Sequence, residues 1–134
     1  QLSLLFKNLK NCGAKIKVAE HFALDEQVFG SWLETLSYLR NACAHHTRLW
    51  NRKLPKTPML PNKPRQIWLK ELPTIERVNH VYVALSVIAY LLAAISPGNN
   101  FVRKIRSLLE RYPVLPKYYM GFTNNWKDEL LWKI

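Results

Sequence analysis

The sequence predicts an all-α fold, arranged as an up-and-down helical bundle with irregular connections. Apolar residues recur at i, i+3, i+4 and i+7 in several stretches, which is the spacing that places them on one face of a helix. No segment alternates apolar and polar residues for long enough to predict a strand. The chain has 134 residues, of which 49% are hydrophobic, enough for one core of ordinary size. We therefore expect a single helical domain over residues 1–134.

Three helices are predicted before the histidine pair. The chain opens inside an amphipathic pattern, and two short helices over residues 1–11 and 14–24 are separated at Cys12-Gly13. Asp25 is placed to cap a third helix, which runs from about Glu26 to the histidines. The apolar positions of this third helix predict one packed face, formed by Phe29, Trp32, Leu33, Leu36, Leu39 and Cys43. Because the first residues already lie in a helical pattern, we expect the chain to be a piece of a longer protein.

A proline-rich basic connector is predicted over residues 53–65. Proline recurs there at every third position, as Pro55, Pro58, Pro61 and Pro64. Three residues per turn is the period of polyproline II, so the four rings would line one edge of an extended strut. The segment is either a ligand for an aromatic groove in another protein or a stiff connector laid over the bundle, and we favour the connector. Its basic residues suit contact with backbone phosphates: Lys53, Lys56, Lys63 and Arg65.

Two further helices and an aromatic tail are predicted after the connector. An apolar helix spans residues 75–96, beginning after Thr74 and stopped by Pro97-Gly98. An asparagine caps the next helix, FVRKIRSLLERY. The tail, residues 114–134, is rich in tyrosine and tryptophan and has a short helix after the Asn124-Asn125 pair.

The charge of the chain predicts a polyanionic partner. Lys and Arg total 20 against 9 Asp and Glu, a net charge of +11, so we expect binding to nucleic acid. An anionic membrane is the rival partner, and simple solubility is a third explanation of the charge. The positive residues are spread along the chain, however, instead of forming one cluster beside a membrane segment. The apolar run of residues 81–95 is shorter than the ~20 residues that a bilayer requires, so we expect a buried helix and no membrane partner.

Cysteine and histidine usage predicts a cytoplasmic protein without a metal. Cys12 and Cys43 form neither a disulfide framework nor a metal knuckle, and the chain opens on an amphipathic pattern instead of a signal peptide. The histidines have no recognised ligand spacing with these cysteines or with each other; they are His21, His45, His46 and His80. We expect no metal and no other cofactor.

The stretch LRNACAHH, residues 39–46, concentrates polar and titratable side chains at the end of the third helix. With Leu36 as the origin, Arg40 falls at about 40°, at the rim of the apolar sector. Asn41 and His45 fall near about 140° and 180°. Arg40 and His45 are therefore too far apart on a regular helix to share a substrate atom. They can share one if the helix ends before His45, if Arg40 reaches out along its stem, or if a second subunit contributes its own copy. The structural alternative is an arginine that snorkels and a histidine that the helix dipole favours.

The same residues carry a resemblance. Arg40 to His45, R-N-A-C-A-H, matches the R-x4-H signature of the HEPN superfamily, small helical bundles that include many metal-independent ribonucleases. The wider string LRNACAHHTRLWNR closely resembles the motif region of the bacterial abortive-infection (Abi-like) family of phage-defence proteins, and it is far more specific than R-x4-H alone. The resemblance implies a HEPN-like bundle that cleaves single-stranded RNA without a metal, by attack of a ribose 2′-hydroxyl on the adjacent phosphate. It also implies that this chain is the C-terminal part of such a protein.

The resemblance also implies roles for individual residues. Arg40 and His45 are the catalytic candidates: a histidine can act as acid or base near neutral pH, and an arginine can hold the phosphate and the charge that develops on it. Supporting positions are Asn41, His46 and Arg48, and we expect RNA contacts from Arg52, Lys53 and Lys56.

The resemblance also implies binding partners. HEPN sites are commonly composite, built by two copies of the motif across a dimer interface, so it implies a homodimer. A further implied partner is an antitoxin-like or regulatory protein. The alternative function is a catalytically inactive HEPN-like module that binds RNA or another protein through its basic face and its aromatic tail.

Overall fold

A computed structural model describes residues 1–10 and 12–133, with Cys12 described by its backbone alone. Within these residues the chain forms five α-helices, three short 3-10 helices and no strand, which confirms the all-α prediction. The α-helices are α1 (Leu2–Asn8), α2 (Cys12–His21), α3 (Glu26–Ala44), α4 (Val81–Ile95) and α5 (Phe101–Arg111). The 3-10 helices span Lys117–Met120, Trp126–Asp128 and Leu130–Trp132. None of the helices among the described residues has the length and apolar character that crossing a bilayer requires.

The main core lies between α3, α4 and the aromatic tail. α3 packs against α1, α2 and α4, and α4 packs against α5 and the last 3-10 helix. The ring of Trp32 in α3 stacks on that of Trp68 at 5.0 Å and meets Tyr90 of α4 edge-on at 5.1 Å. Trp132 of the tail is fully buried, and its indole N–H donates a hydrogen bond to the Ser86 hydroxyl at 3.0 Å. The tail therefore completes the core instead of extending away from it.

The buried face of α3 rotates along the helix. Phe29, Trp32 and Leu33 are buried in its first half as predicted. In its second half the buried residues are Thr35, Leu39 and Ala42, and Cys43 is exposed. The prediction that Cys43 belongs to the packed face is therefore wrong. The connector explains the rotation, because it lies against the Thr35 side of the helix: the Lys56 carbonyl accepts a hydrogen bond from the Thr35 hydroxyl at 3.1 Å.

Two predicted helix boundaries are also wrong. α1 ends at Asn8, and α2 begins at Cys12 and includes Gly13, so the break precedes Cys12-Gly13. α4 begins at Val81 and not after Thr74. The Thr74 carbonyl accepts hydrogen bonds from the backbone N–H groups of Arg77 and Val78, which makes a turn. The extended backbone of His80 (φ −95°, ψ 173°) separates this turn from the helix.

The helix ends that have strong local signals agree with the sequence. Asp25 lies at the N-cap position of α3 as predicted, although its side chain makes no capping hydrogen bond, and α3 ends at Ala44. α4 ends just before Pro97-Gly98, where Gly98 has the left-handed φ of 80°. The side chain of Asn99 then accepts a hydrogen bond from the Phe101 N–H at 3.0 Å at the start of α5.

The connector, residues 53–65, contains neither helix nor strand and lies across α3. The Trp32 indole N–H donates to the Met59 carbonyl at 2.8 Å, and the Met59 N–H donates to the Ser31 hydroxyl at 2.9 Å. The chain bends near Pro55 and again at residues 62–63, and the prolines differ in burial, with Pro58 buried and Pro55 and Pro64 exposed. The expectation that all four rings line one edge is therefore wrong.

Candidate functional site

The end of α3 presents Arg40, Asn41 and His45 to solvent. A guanidinium N–H of Arg40 donates to the amide oxygen of Asn41 at 3.1 Å. The backbone carbonyl of Asn41 accepts the N–H of His45 at 3.0 Å, because His45 closes the last helical turn. Asn41 therefore contacts both catalytic candidates, one through its side chain and the other through its backbone.

α3 ends at Ala44, and the turn that stops it is completed at His46. His46 has a left-handed φ of 51°, and its N–H donates to the Cys43 carbonyl at 3.1 Å. The Thr47 N–H donates to the Ala42 carbonyl at 2.8 Å. These two bonds form a Schellman motif, in which glycine is the usual residue at the position that His46 occupies. A left-handed conformation costs a non-glycine residue about 1–2 kcal/mol, so the histidine at this position is a strained one.

The geometry of this helix end bears on how Arg40 and His45 can act together. His45 keeps a backbone close to helical (φ −93°, ψ 14°), so the end of the helix does not turn its side chain toward Arg40. The two positions remain about 140° apart around the helix axis. No hydrogen bond joins the two side chains within the described part of the chain. Of the three routes considered above, the reach of Arg40 and a second copy of the chain remain.

The side chains of the other predicted site residues differ in their exposure and in the contacts that they make. Arg48 and Lys53 are exposed. The Arg52 Nε–H donates to the Tyr38 hydroxyl at 3.0 Å, and its guanidinium lies 5.9 Å from the centre of that ring. Lys56 forms an ion pair with Glu34 at 3.5 Å, and both side chains are well exposed. An exposed pair of this kind contributes little to stability but partly neutralises the lysine, so Lys56 is the least available of the three predicted RNA contacts.

The candidate site lies in a stretch of chain without carboxylates. Between Glu34 and Glu71 the sequence contains eight Lys or Arg residues and no Asp or Glu. The stretch includes every residue predicted for catalysis or RNA contact. Positive charge of this density raises the local concentration of a polyanion and attracts backbone phosphates.

The structure specifies contacts of aromatic residues that the sequence does not indicate. Tyr38 holds Arg52, and the ring of Trp50 meets that of Tyr119 at 6.0 Å. The guanidinium of Arg77 lies 3.3 Å from the centre of the Tyr118 ring. The aromatic composition of the tail was a signal for the two tyrosines, but nothing local to either segment indicates that Tyr119 contacts Trp50.

Potential metal ligands are dispersed in the folded chain. Over residues 1–10 and 12–133 no three His, Cys, Asp or Glu side chains are grouped in a way that could hold a metal ion. Cys43 is a free, exposed thiol, and the side chain of Cys12 lies outside the described residues. His80 is buried, and burial together with the positive charges of Arg77 and Lys53 lowers its pKa, outweighing the opposite effect of the Arg77 backbone carbonyl.

One comparison with known proteins gives a match. The family model described as Abi-like protein matches residues 1–51. Over these residues the chain is similar to Abi-like proteins. The matched region contains α1, α2 and α3 together with the turn that follows Arg40 and His45. No curated protein and no solved structure matches the chain.

Proposed function

We propose that the chain is a metal-independent endoribonuclease of the abortive-infection, HEPN type, which cuts single-stranded RNA in defence against phage. The observation that carries the proposal is the exposed Arg40–Asn41 pair with His45 at the end of α3. This group lies within the region similar to Abi-like proteins and within the stretch that lacks carboxylates. In such a group the permanent cation can bind the phosphate, the histidine can accept or donate a proton, and the amide can orient the cation.

The proposed chemistry is an internal displacement at phosphorus. A histidine accepts the proton of a ribose 2′-hydroxyl, the 2′-oxygen attacks the adjacent phosphorus, and the bond from phosphorus to the 5′-oxygen breaks. A second acid returns a proton to the departing 5′-oxygen. The products are a 2′,3′-cyclic phosphate and a 5′-hydroxyl, with atoms and charge balanced. Arg40 binds the phosphate and stabilises the charge that develops on its oxygens, with Asn41 orienting Arg40.

A homodimer supplies what a single copy does not. Because Arg40 and His45 face different sectors of α3, we place Arg40 of one copy and His45 of a second copy at the same phosphate. A two-fold dimer then has two such sites, each with Arg40 from one copy and His45 from the other. His46 and Arg48 are supporting residues in this arrangement, and Arg52, Lys53 and Lys56 contact the flanking RNA backbone. An antitoxin-like or regulatory protein is a further partner that we propose.

Cleavage of a labelled single-stranded RNA by purified protein, with EDTA present, tests the proposal. We expect Arg40→Ala and His45→Ala each to reduce cleavage by about 10²- to 10⁴-fold, the range for loss of a positioned acid, base or charge. The matched controls are the His21→Ala and Arg103→Ala proteins, because these two residues are exposed and lie on α2 and α5. Both proteins should cleave RNA as the unchanged protein does. Mass spectrometry should find the cyclic phosphate.

Two results would count against the proposal. Full cleavage by the His45→Ala protein would remove the histidine from the chemistry. Loss of cleavage on chelation alone would indicate a metal-dependent nuclease instead.

A second candidate function is a catalytically inactive HEPN-like module that binds RNA. The ordered contact of Arg52 with Tyr38 and the stretch without carboxylates favour this alternative, because both serve binding without chemistry. It predicts salt-dependent RNA binding that Arg40→Ala and His45→Ala leave nearly unchanged, with no cleavage by any of the proteins.

A further inference from the structure

Two adjacent tyrosines of the tail form an exposed aromatic surface held in place by Arg77. The guanidinium of Arg77 lies 3.3 Å from the centre of the Tyr118 ring and donates a hydrogen bond to the Tyr118 carbonyl at 2.8 Å. The rings of Tyr118 and Tyr119 are 5.8 Å apart at 67°, and Tyr119 meets Trp50 at 6.0 Å. We call Trp50, Arg77, Tyr118 and Tyr119 the tyrosine platform.

Tyr118 and Tyr119 are the aromatic residues of the tail that stay in solvent. Phe122, Trp126 and Trp132 are buried in the core, whereas Tyr118 is 60% exposed and Tyr119 is 43% exposed. Because Arg77 covers one face of the Tyr118 ring, the exposed surface of Tyr118 is the opposite face and the edge of the ring. An aromatic face that is fixed on one side and open on the other is preorganised to stack on another planar group.

The platform shares an apolar support with the end of α3. Leu39, which precedes Arg40, packs in one cluster with Leu54 and Val81, and Met120, which follows Tyr119, packs against the same cluster. Leu49, next to Trp50, also packs there. The catalytic candidates and the platform therefore lie on chain segments that meet at a common cluster.

The charge around the platform suits a polyanion. Arg77 forms no ion pair among the residues that the structure describes, where the ion pairs are Lys56–Glu34 and Lys127–Glu110. Lys53 and Arg77 are both near enough to His80 for their charges to act on it. The loop that carries Trp50 belongs to the stretch without carboxylates. Open aromatic faces together with unpaired cations are the combination by which proteins bind single-stranded nucleic acid.

We propose that the tyrosine platform binds single-stranded RNA by stacking unpaired bases on Tyr118 and Tyr119, with Arg77 and Lys53 contacting the phosphates. The inference rests on the proposed function only in taking RNA as the nucleic acid. Every base has a flat face, so the platform tolerates different sequences. It selects single strands, because the bases of a duplex are already stacked on their neighbours.

Binding of RNA that cannot be cleaved tests the platform separately from the chemistry. The probe is a 2′-O-methyl single strand of about 12 nucleotides carrying 2-aminopurine, with the same strand in a duplex as the second probe. Affinity is measured by fluorescence anisotropy, and stacking is measured by quenching of the 2-aminopurine. We expect Tyr118→Leu and Tyr119→Leu to weaken single-strand binding by about 5- to 30-fold, the lower part of the range for base–aromatic stacking, and to relieve the quenching.

Two variants serve as controls. Tyr118→Phe keeps the ring and should bind as the unchanged protein does, with the same quenching. Tyr112→Leu removes a tyrosine of similar exposure (51%) that follows the last residue of α5 and takes no part in the ring contacts of the platform, so it should also leave binding unchanged. Circular dichroism melting of each variant checks the fold.

Several outcomes would overturn the inference. They are an unchanged affinity of Tyr118→Leu, an equal loss for single strand and duplex, and no RNA binding at all. Unchanged RNA binding by the platform variants would leave a protein as the partner that fits this surface. Failure of the proposed function looks different, because it would appear as RNA cleavage by Arg40→Ala or His45→Ala while binding still depended on Tyr118.

Discussion

Replacement of Gly121 by alanine should destabilise the fold by about 2–5 kcal/mol. Gly121 ends the 3-10 helix Lys117–Met120 with a φ of 86°, a conformation that costs a residue with a Cβ about 1–2 kcal/mol. An alanine Cβ would also lie 2.9 Å from the Arg77 carbonyl oxygen and 3.0 Å from the Cβ of His80. These atoms belong to the turn before α4 and cannot yield without moving it, which adds about 1–3 kcal/mol.

Gly98→Ala is the matched control for this prediction. Gly98 has nearly the same φ, 80°, but apart from its two chain neighbours no residue has an atom within 4 Å of the position that its Cβ would take. It should therefore lose only the conformational part, about 1–2 kcal/mol. The free energy of unfolding is measured for both variants by urea titration, followed by tryptophan fluorescence. Equal losses in the two variants would refute the close approach of Gly121 to the Arg77–His80 turn.

Three further predictions concern stability. His46→Gly should raise the free energy of unfolding by about 1 kcal/mol, because glycine is at ease in the left-handed position of the Schellman motif; a loss in the urea titration would argue against that motif. Gly30→Ala should stabilise α3 by about 0.5–1 kcal/mol, since the added Cβ would lie 3.6 Å from the nearest side chain of α1, an ordinary contact distance. A lower melting temperature of this variant would show that α1 and α3 leave no room for the added methyl group. His80→Asn should flatten the pH dependence of stability. Burial, with the charges of Arg77 and Lys53, lowers the pKa of His80, so the unfolded chain takes up the proton first, and the free energy of unfolding falls as pH drops below about 6.5 and levels off below the folded pKa. Parallel pH curves for His80→Asn and the unchanged protein would contradict this.

The sequence was a good guide where the structure depends on neighbouring residues. The periodic pattern after Asp25 predicted a helix that the structure ends at Ala44, and Pro97-Gly98 predicted the end of α4. Such signals work because caps, stop residues and a packed face act over one or two turns of the same helix.

The errors arose where distant segments meet. Cys43 lies on the predicted apolar face, but the connector covers the Thr35 side of α3 instead, and a helical wheel cannot anticipate that contact. The start of α4 was misplaced because the extended His80 interrupts a segment whose apolar pattern continues. The same holds for the candidate site. Arg40 and His45 can be found from one short stretch of sequence, whereas the contact of Trp50 with Tyr119 joins residues far apart in the sequence and is seen only in the folded chain.

The proposal that Arg40 and His45 act from different copies is tested most directly by mixing two inactive variants. Arg40→Ala and His45→Ala proteins with different tags are allowed to exchange subunits, hybrid dimers are verified through the tags, and RNA cleavage is measured with EDTA present. Half of the dimers should be hybrids, and each hybrid has one intact Arg40–His45 pair out of two, so cleavage should return to about one quarter of the unmutated level. A mixture that contains hybrid dimers yet cleaves no better than either variant alone would contradict a site shared between two copies.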